Sequence, residues 1–104
     1  MNHPRTLVAL KVKVRYFTTL RELARTREEE LEMEEGSTLA ELIEMVASKY
    51  GGEAFNYLHV RATGEIDPSI QFLINGISAR DLHGLRTELR EGDVVAVIPP
   101  VGGG

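Results

Sequence analysis

The period of apolar and polar positions changes several times along the 104 residues, and each change marks an element. Leu10-Lys11-Val12-Lys13-Val14-Arg15-Tyr16-Phe17 alternates apolar with basic residues, which predicts a first strand with one buried face. Thr18-Thr19-Leu20-Arg21-Glu22-Leu23-Ala24 then reads as a helix of about two turns, opened by a Thr19/Glu22 capping box and burying Leu20, Leu23 and Ala24. Period two returns from Glu28 to Glu34, with Leu31 and Met33 on one side and Glu28, Glu30, Glu32 and Glu34 on the other. This predicts a second, acid-faced strand paired with the first as a hairpin.

The clearest helical pattern spans residues 38 to 50. Thr38 and Glu41 form a capping box, Leu39, Leu42, Ile43, Val46, Ala47 and Tyr50 recur at helical spacing, and Gly51 is placed to end the helix. That stripe is packing surface and carries no chemistry. From Gly51 to Ser69 the pattern weakens to a helical turn at Glu53 to Leu58 and loop at Gly64 and Asp67-Pro68. Ile70 to Ile74 is a strand, Asn75-Gly76 a hairpin turn, and Ile77 begins a brief return. Leu82, Leu85 and Leu89 are expected to lie over the core as a lid, and Arg90-Glu91-Gly92-Asp93 turns the chain into a last strand, Val94 to Ile98.

The first and last strands are the most apolar, so both belong at the centre of a sheet. They then run parallel, with the long helix in the crossover between them. The expected fold is α+β, a β-grasp: a mixed sheet of four to five strands with one main helix across it. Residues 1–9 read as a flexible extension, 10–98 as the domain and 99–104 as a mobile tail.

That tail departs from the rest of the pattern. Pro99 and Pro100 end ladder pairing and hold the exit extended, Val101 follows, and Gly102, Gly103 and Gly104 have no side chains to bury. Six extended residues reach roughly 20 Å, enough to thread a partner's active site. A chain without Cβ atoms passes through channels that stop bulkier residues.

Composition narrows the function classes. A chain that is 42% hydrophobic has material for one core. A net charge of −4, from 16 acidic and 12 basic residues, argues against nucleic acid or an anionic membrane as partner. No stretch has the length of a membrane span or the long apolar region of a signal peptide, so a soluble cytoplasmic protein is the default expectation. With no cysteine there is neither a thiolate nucleophile nor a Cys-based metal site. His3, His59 and His83 stand singly and read as solvated, and the serines have no adjacent histidine, so no metal site is expected. Gly51-Gly52 and Gly102 to Gly104 precede neither a lysine nor a helix start and are not phosphate loops. What remains is the carboxylate of Gly104. A carboxylate is a poor electrophile, but attack on the α-phosphate of ATP makes an acyl-adenylate with a good leaving group. The catalysis would then belong to the partner.

Val12-Lys13-Val14-Arg15-Tyr16-Phe17 with Leu20-Arg21-Glu22-Leu23, Phe72-Leu73-Ile74-Asn75-Gly76, Glu91-Gly92-Asp93-Val94-Val95-Ala96 and Pro99-Pro100-Val101-Gly102-Gly103-Gly104 occur in this order. In that combination the chain resembles the MoaD/ThiS ubiquitin-like sulfur carriers, and more closely the MoaD side, the small subunit of molybdopterin synthase. The resemblance implies that an E1-like, MoeB-like enzyme adenylates Gly104 using ATP and Mg²⁺, none of it bound by this chain itself. A sulfur donor protein would then make the thiocarboxylate, and a MoaE-like large subunit would use it to build the pterin dithiolene. It also implies that Phe17 and Ile98 face partners in an apolar patch with Arg21 beside them, the alternative being that both are core. The N-terminal extension and the long 51–68 segment leave open an archaeal-type relative, conjugated to proteins as a ubiquitin-like modifier or serving tRNA thiolation.

Overall fold

The computed structural model describes residues 9–100. Its elements are β1 (Ala9–Arg15), α1 (Thr18–Ala24), β2 (Glu28–Glu34), α2 (Leu39–Tyr50), α3 (Gly52–Leu58), β3 (Gln71–Ile74), β4 (Ile77–Ser78) and β5 (Val94–Ile98), with 3-10 turns at Ala79–Asp81 and Gly84–Arg86. The sheet order is β2-β1-β5-β3-β4. β1 pairs antiparallel with β2 and parallel with β5, while β3 is antiparallel to both β5 and β4. This is the α+β β-grasp that the pattern predicts.

β1, β2, β3 and β5 each turn a set of apolar residues toward α2. Val12, Val14, Leu31, Met33, Phe72, Ile74, Val95 and Val97 are buried with Leu39, Leu42, Ile43, Val46 and Ala47 of that helix. The Thr38 capping box forms as read: its hydroxyl accepts from the Glu41 amide while the Glu41 carboxylate accepts from the Thr38 amide at 2.9 Å. Asn75 and Gly76 both take positive φ, 53° and 83°, the geometry of a hairpin turn that only such residues enter at little cost. The Asn75 side chain then donates to Asp93 and accepts from the Val94 amide, each at 2.9 Å, which fixes the start of β5.

Three expectations are corrected. The Thr19/Glu22 box does not form, because Thr18 turns at φ 45° and starts the helix with Phe17 at the cap and no side-chain capping bond, leaving Thr19 inside it. Leu82 and Leu85 do not cover the core: they remain 39% and 37% exposed, and of the three lid leucines only Leu89 is buried. Leu82 closes one short 3-10 turn and Leu85 lies within the next, whereas Leu89 is pinned by its amide to the Ser37 carbonyl beside α2.

The third correction concerns the histidines. His83 is exposed and His3 lies outside the described residues, but His59 is buried. Its ring stacks on Phe55 with centroids 3.9 Å apart, Nδ1 donates to the Phe55 carbonyl at 2.8 Å and Nε2 donates to the Glu44 carboxylate at 2.9 Å. Both partners are acceptors, so the geometry favours the protonated ring, which clamps α3 to α2. Burial by itself pushes the His59 pKa down, but the bonds to Glu44 and to the Phe55 carbonyl outweigh it and raise the value above the ordinary 6.5. A pKa raised in the folded state gives stability that is complete below 6.5 and fades as pH rises through the folded value. Glu44→Gln should therefore lower the melting temperature most at mildly acidic pH, above the carboxylate range, with the gap to wild type narrowing as pH rises. Thermal melts across that interval check it.

Candidate functional site

β5 is apolar on both faces. Val95 and Val97 point into the core, while Val94, Ala96 and Ile98 are half-buried on the sheet face opposite α2. Leu73 of β3 stands beside Ala96 in register and is also half-buried, so an apolar strip runs along the open face of the sheet toward the Pro99 exit. One layer of helices cannot cover two faces of a sheet, and an uncovered apolar strip rimmed by charge is the form of a docking surface. The rim is supplied by β1 and β2. Lys11, Lys13 and Arg15 alternate outward on β1, with Glu32, Glu30 and Glu28 across from them. Glu28 accepts from the Arg15 Nε at 3.2 Å and lies 3.3 Å from the Lys13 Nζ, and these cations hold its carboxyl below the usual range.

The parallel register pairs Lys13 with Val94 and Arg15 with Ala96. Carried two residues further along backbone that is still extended at Phe17 (φ −133°, ψ 151°), it sets Phe17 level with Ile98 at the same end of the sheet. Phe17 and Arg21 line one open groove of about 450 Å³ together with Arg15, Tyr16, Arg27 and Glu28. Phe17, Arg21, Ile98 and Pro99 are half-buried and Pro100 is exposed. Both alternatives for Phe17 and Ile98 are thus partly realised: each is packed on one side and open on the other. Val101, Gly102, Gly103 and Gly104 lie outside the described residues. No group of three or more His, Asp or Glu side chains among the described residues is placed to hold a metal ion.

Sequence reasoning missed two features. Leu73, Val94 and Ala96 were legible only as strand, although a strand apolar at every position in a chain this small signals a second face awaiting a partner. It also missed the network beneath the groove. The Tyr16 and Tyr50 hydroxyls both donate to Oε2 of Glu29, the Tyr16 bond being 2.5 Å, and Lys49 donates to Oε1 at 2.6 Å. Burial pushes the Glu29 carboxyl up, but the Lys49, Tyr16 and Tyr50 bonds together draw it below its usual value. Burial, then the anionic acceptor, pushes the Tyr16 phenol far up. This network ties the end of β1, where the groove lies, to the end of α2.

The family model described as the ThiS family matches residues 14–104. The chain belongs to the ThiS family. It is 30% identical over 95 residues to small archaeal modifier protein 3 of Haloferax volcanii, covering 91% of this chain and 100% of that protein. The solution structure of small archaeal modifier protein 1 from Methanosarcina acetivorans superposes with a TM-score of 0.78 at 33% identity, covering 93% of this chain and 99% of that one. A Pyrococcus furiosus structure described as a molybdopterin converting factor, subunit 1, gives a TM-score of 0.63 at 33% identity over 88% of this chain and 99% of its own. The chain is therefore a ubiquitin-like member of a group that holds both sulfur carriers and modifiers.

In this ThiS-family chain Glu29 is the shared acceptor of two tyrosines, one of them fully buried, and removing it strands the Tyr16 hydroxyl. Glu29→Ala should cost about 1–3 kcal/mol of stability, the range for a buried donor left unsatisfied. Glu30→Ala, on the exposed side of the same strand, should be near neutral. Urea denaturation of both variants checks the contrast.

Proposed function

We propose that the chain is a sulfur carrier for molybdopterin biosynthesis, acting as the small subunit of a molybdopterin synthase in the cytoplasm. Gly104 is the group that reacts. An E1-like, MoeB-like enzyme supplies Mg²⁺ and ATP, and the Gly104 carboxylate oxygen attacks the α-phosphate, releasing pyrophosphate. A sulfur donor protein then delivers sulfur to the acyl carbon, AMP leaves, and the thiocarboxylate is carried to a MoaE-like large subunit.

The observation that carries this reading is the placement of the exit. β5 delivers Pro99 and Pro100 at the end of the sheet where Phe17, Arg21 and the apolar strip gather, so one partner surface can grip that end while the tail enters its active site. Pro100 is exposed and lacks an N–H, which keeps the exit clear of the sheet. The family match running through residue 104 and the likeness to the Pyrococcus protein support the same reading. In addition, no helix among the described residues is long and apolar enough to cross a membrane.

A second reading is a ubiquitin-like modifier joined to lysines through Gly104, or a carrier for tRNA thiolation. The likeness to two small archaeal modifier proteins favours it. Activation is common to both readings and the fate of the acyl group separates them. Intact mass of the chain from its native host should show oxygen replaced by sulfur in the carrier; branched peptides on other proteins would favour the modifier.

Two outcomes test the shared step. The purified chain with Mg-ATP should release no pyrophosphate alone and should release it when an E1-like enzyme is added. Deleting Gly104 should abolish that release while its thermal melt overlays the full-length chain; a large drop in melting temperature would show the tail to be structural. Phe17→Ala should weaken binding to the activating enzyme by about 1–2 kcal/mol, as interface anchors do, with a smaller loss of fold stability. Titration calorimetry and thermal melts measure the two quantities.

A further inference from the structure

Among the described residues four large apolar side chains remain exposed: Phe55, Ile77, Leu82 and Leu85. Phe55 stacks on the His59 ring. The other three fall between residues 77 and 85, where β4 ends and the chain enters its two 3-10 turns. β4 is two residues long and pairs with Leu73 and Ile74. Gln71 and Phe72 pair with β5 on one side and have no described strand on the other, and a groove of about 200 Å³ opens there at the sheet's edge.

Ile66, Pro68, Ile70, Phe72, Ala79 and Leu85 give the groove apolar walls, and Arg80 is the one charged residue among those that line it. Its Nη2 donates to the Pro68 carbonyl at 2.8 Å, which ties the guanidinium to the groove's rim. Among the described residues no carboxylate oxygen lies within ion-pairing distance of it. A guanidinium has five N–H donors in a fixed fork, so most of them stay open to an anion. Leu73 and Ala96 of the open face do not line the groove, and neither do Phe17, Arg21 and Ile98.

Volume and charge decide what fits. Sites for drug-sized ligands hold roughly 300–1,000 Å³, whereas a cavity of about 150 Å³ takes one benzene ring. The groove therefore has room for a single side chain of leucine or phenylalanine size and is too small for a cofactor. Phosphate groups are ordinarily met by clusters of arginines, while one guanidinium matches one carboxylate.

We propose that this groove docks a segment of a partner protein in which one large apolar side chain stands next to a glutamate or aspartate. The apolar side chain sits against Ile70, Phe72 and Leu85, and the carboxylate accepts from the Arg80 guanidinium. Occupancy there leaves the open face and the exit end free, so such a partner and one that grips Phe17 and Ile98 can be held together.

The test titrates isotope-labelled full-length chain with the blocked peptide acetyl-Gly-Ser-Gly-Leu-Glu-Gly-Ser-Gly-amide, followed by two-dimensional NMR. Amide shifts at Ile66, Phe72, Ala79, Arg80 and Leu85 should saturate at millimolar peptide or below. Alanine in place of the peptide's leucine, or glutamine in place of its glutamate, should weaken binding about tenfold, the scale of one buried side chain or one charge-assisted hydrogen bond. Arg80→Gln should lose the same factor, while Arg86→Gln, outside the groove, should keep wild-type affinity. The peptide substitutions leave the chain untouched and so read the contact even if Arg80→Gln does not fold. No saturable shift, shifts confined to the open face, equal binding of the glutamine peptide, or tighter binding of a phosphoserine peptide would each overturn the proposal. Without peptide, groove amides that move with protein concentration would assign the groove to a second copy, and amides that move on deleting residues 101–104 would assign it to the chain's own tail. Isocaproate binding as tightly as the peptide would assign it to a small carboxylate. Each of these three results overturns the proposal as well.

Discussion

The parallel pairing of β1 with β5 is the constraint on which the rest of the molecule depends. Two parallel neighbours cannot be joined by a tight turn, so the chain between them must cross one face of the sheet, and α2 is the segment that does so. The crossover buries the sheet on that face and leaves the other without cover. The same pairing makes the C-terminal ends of β1 and β5 coincide. Phe17 and Arg21, which come early in the chain, therefore stand beside Ile98 and the prolines at its far end. The half-buried groove at Phe17 and Arg21 and the exit at Pro99 follow from one register.

Around that centre the polar interactions hold joints. Glu29 gathers Tyr16, Tyr50 and Lys49, fastening the end of β1 to the end of α2 just under the groove. Glu44 and His59 fasten α3 to α2. Asn75 and Asp93 fasten the β3–β4 turn to the start of β5. In each case a charged or amide group bridges elements that apolar packing alone would leave free to slide, because dispersion and area burial are non-directional while these bonds fix geometry. Of these joints, the Glu29 one lies at the end of the sheet where β5 leaves it.

Nine of the twelve cationic residues are arginine. Positive charge placed as arginine offers ion pairs and hydrogen bonds without adding a nucleophile. The few lysines differ in how tightly carboxylates hold them, and these differences arise from β1 and β2 pairing and from the end of α2.

Period and punctuation alone determined most of the fold. The alternation in residues 10–17 and 28–34, the Thr38/Glu41 box, the Asn75-Gly76 turn and the stripe of α2 are local signals, each decided by residues within a few positions of one another. They were enough to order the elements and, through the apolar content of the first and last strands, to put those two together. Pro99, Pro100 and the glycines after Val101 likewise mark an exit by residue chemistry alone. Tertiary structure decided what depends on residues far apart in sequence. His59 became a buried, hydrogen-bonded joint because Glu44 arrives from another helix. Glu29, between Glu28 and Glu30 of the outward row, gained its role because β2 turns it toward Tyr50. Leu82 and Leu85 stayed exposed because the chain there folds into short 3-10 turns instead of an element with a buried face. Leu73, Val94 and Ala96 became a surface only once every helix had packed on the opposite face. No period in a sequence records which side of a sheet will be left bare, since that is set by where the crossover lands.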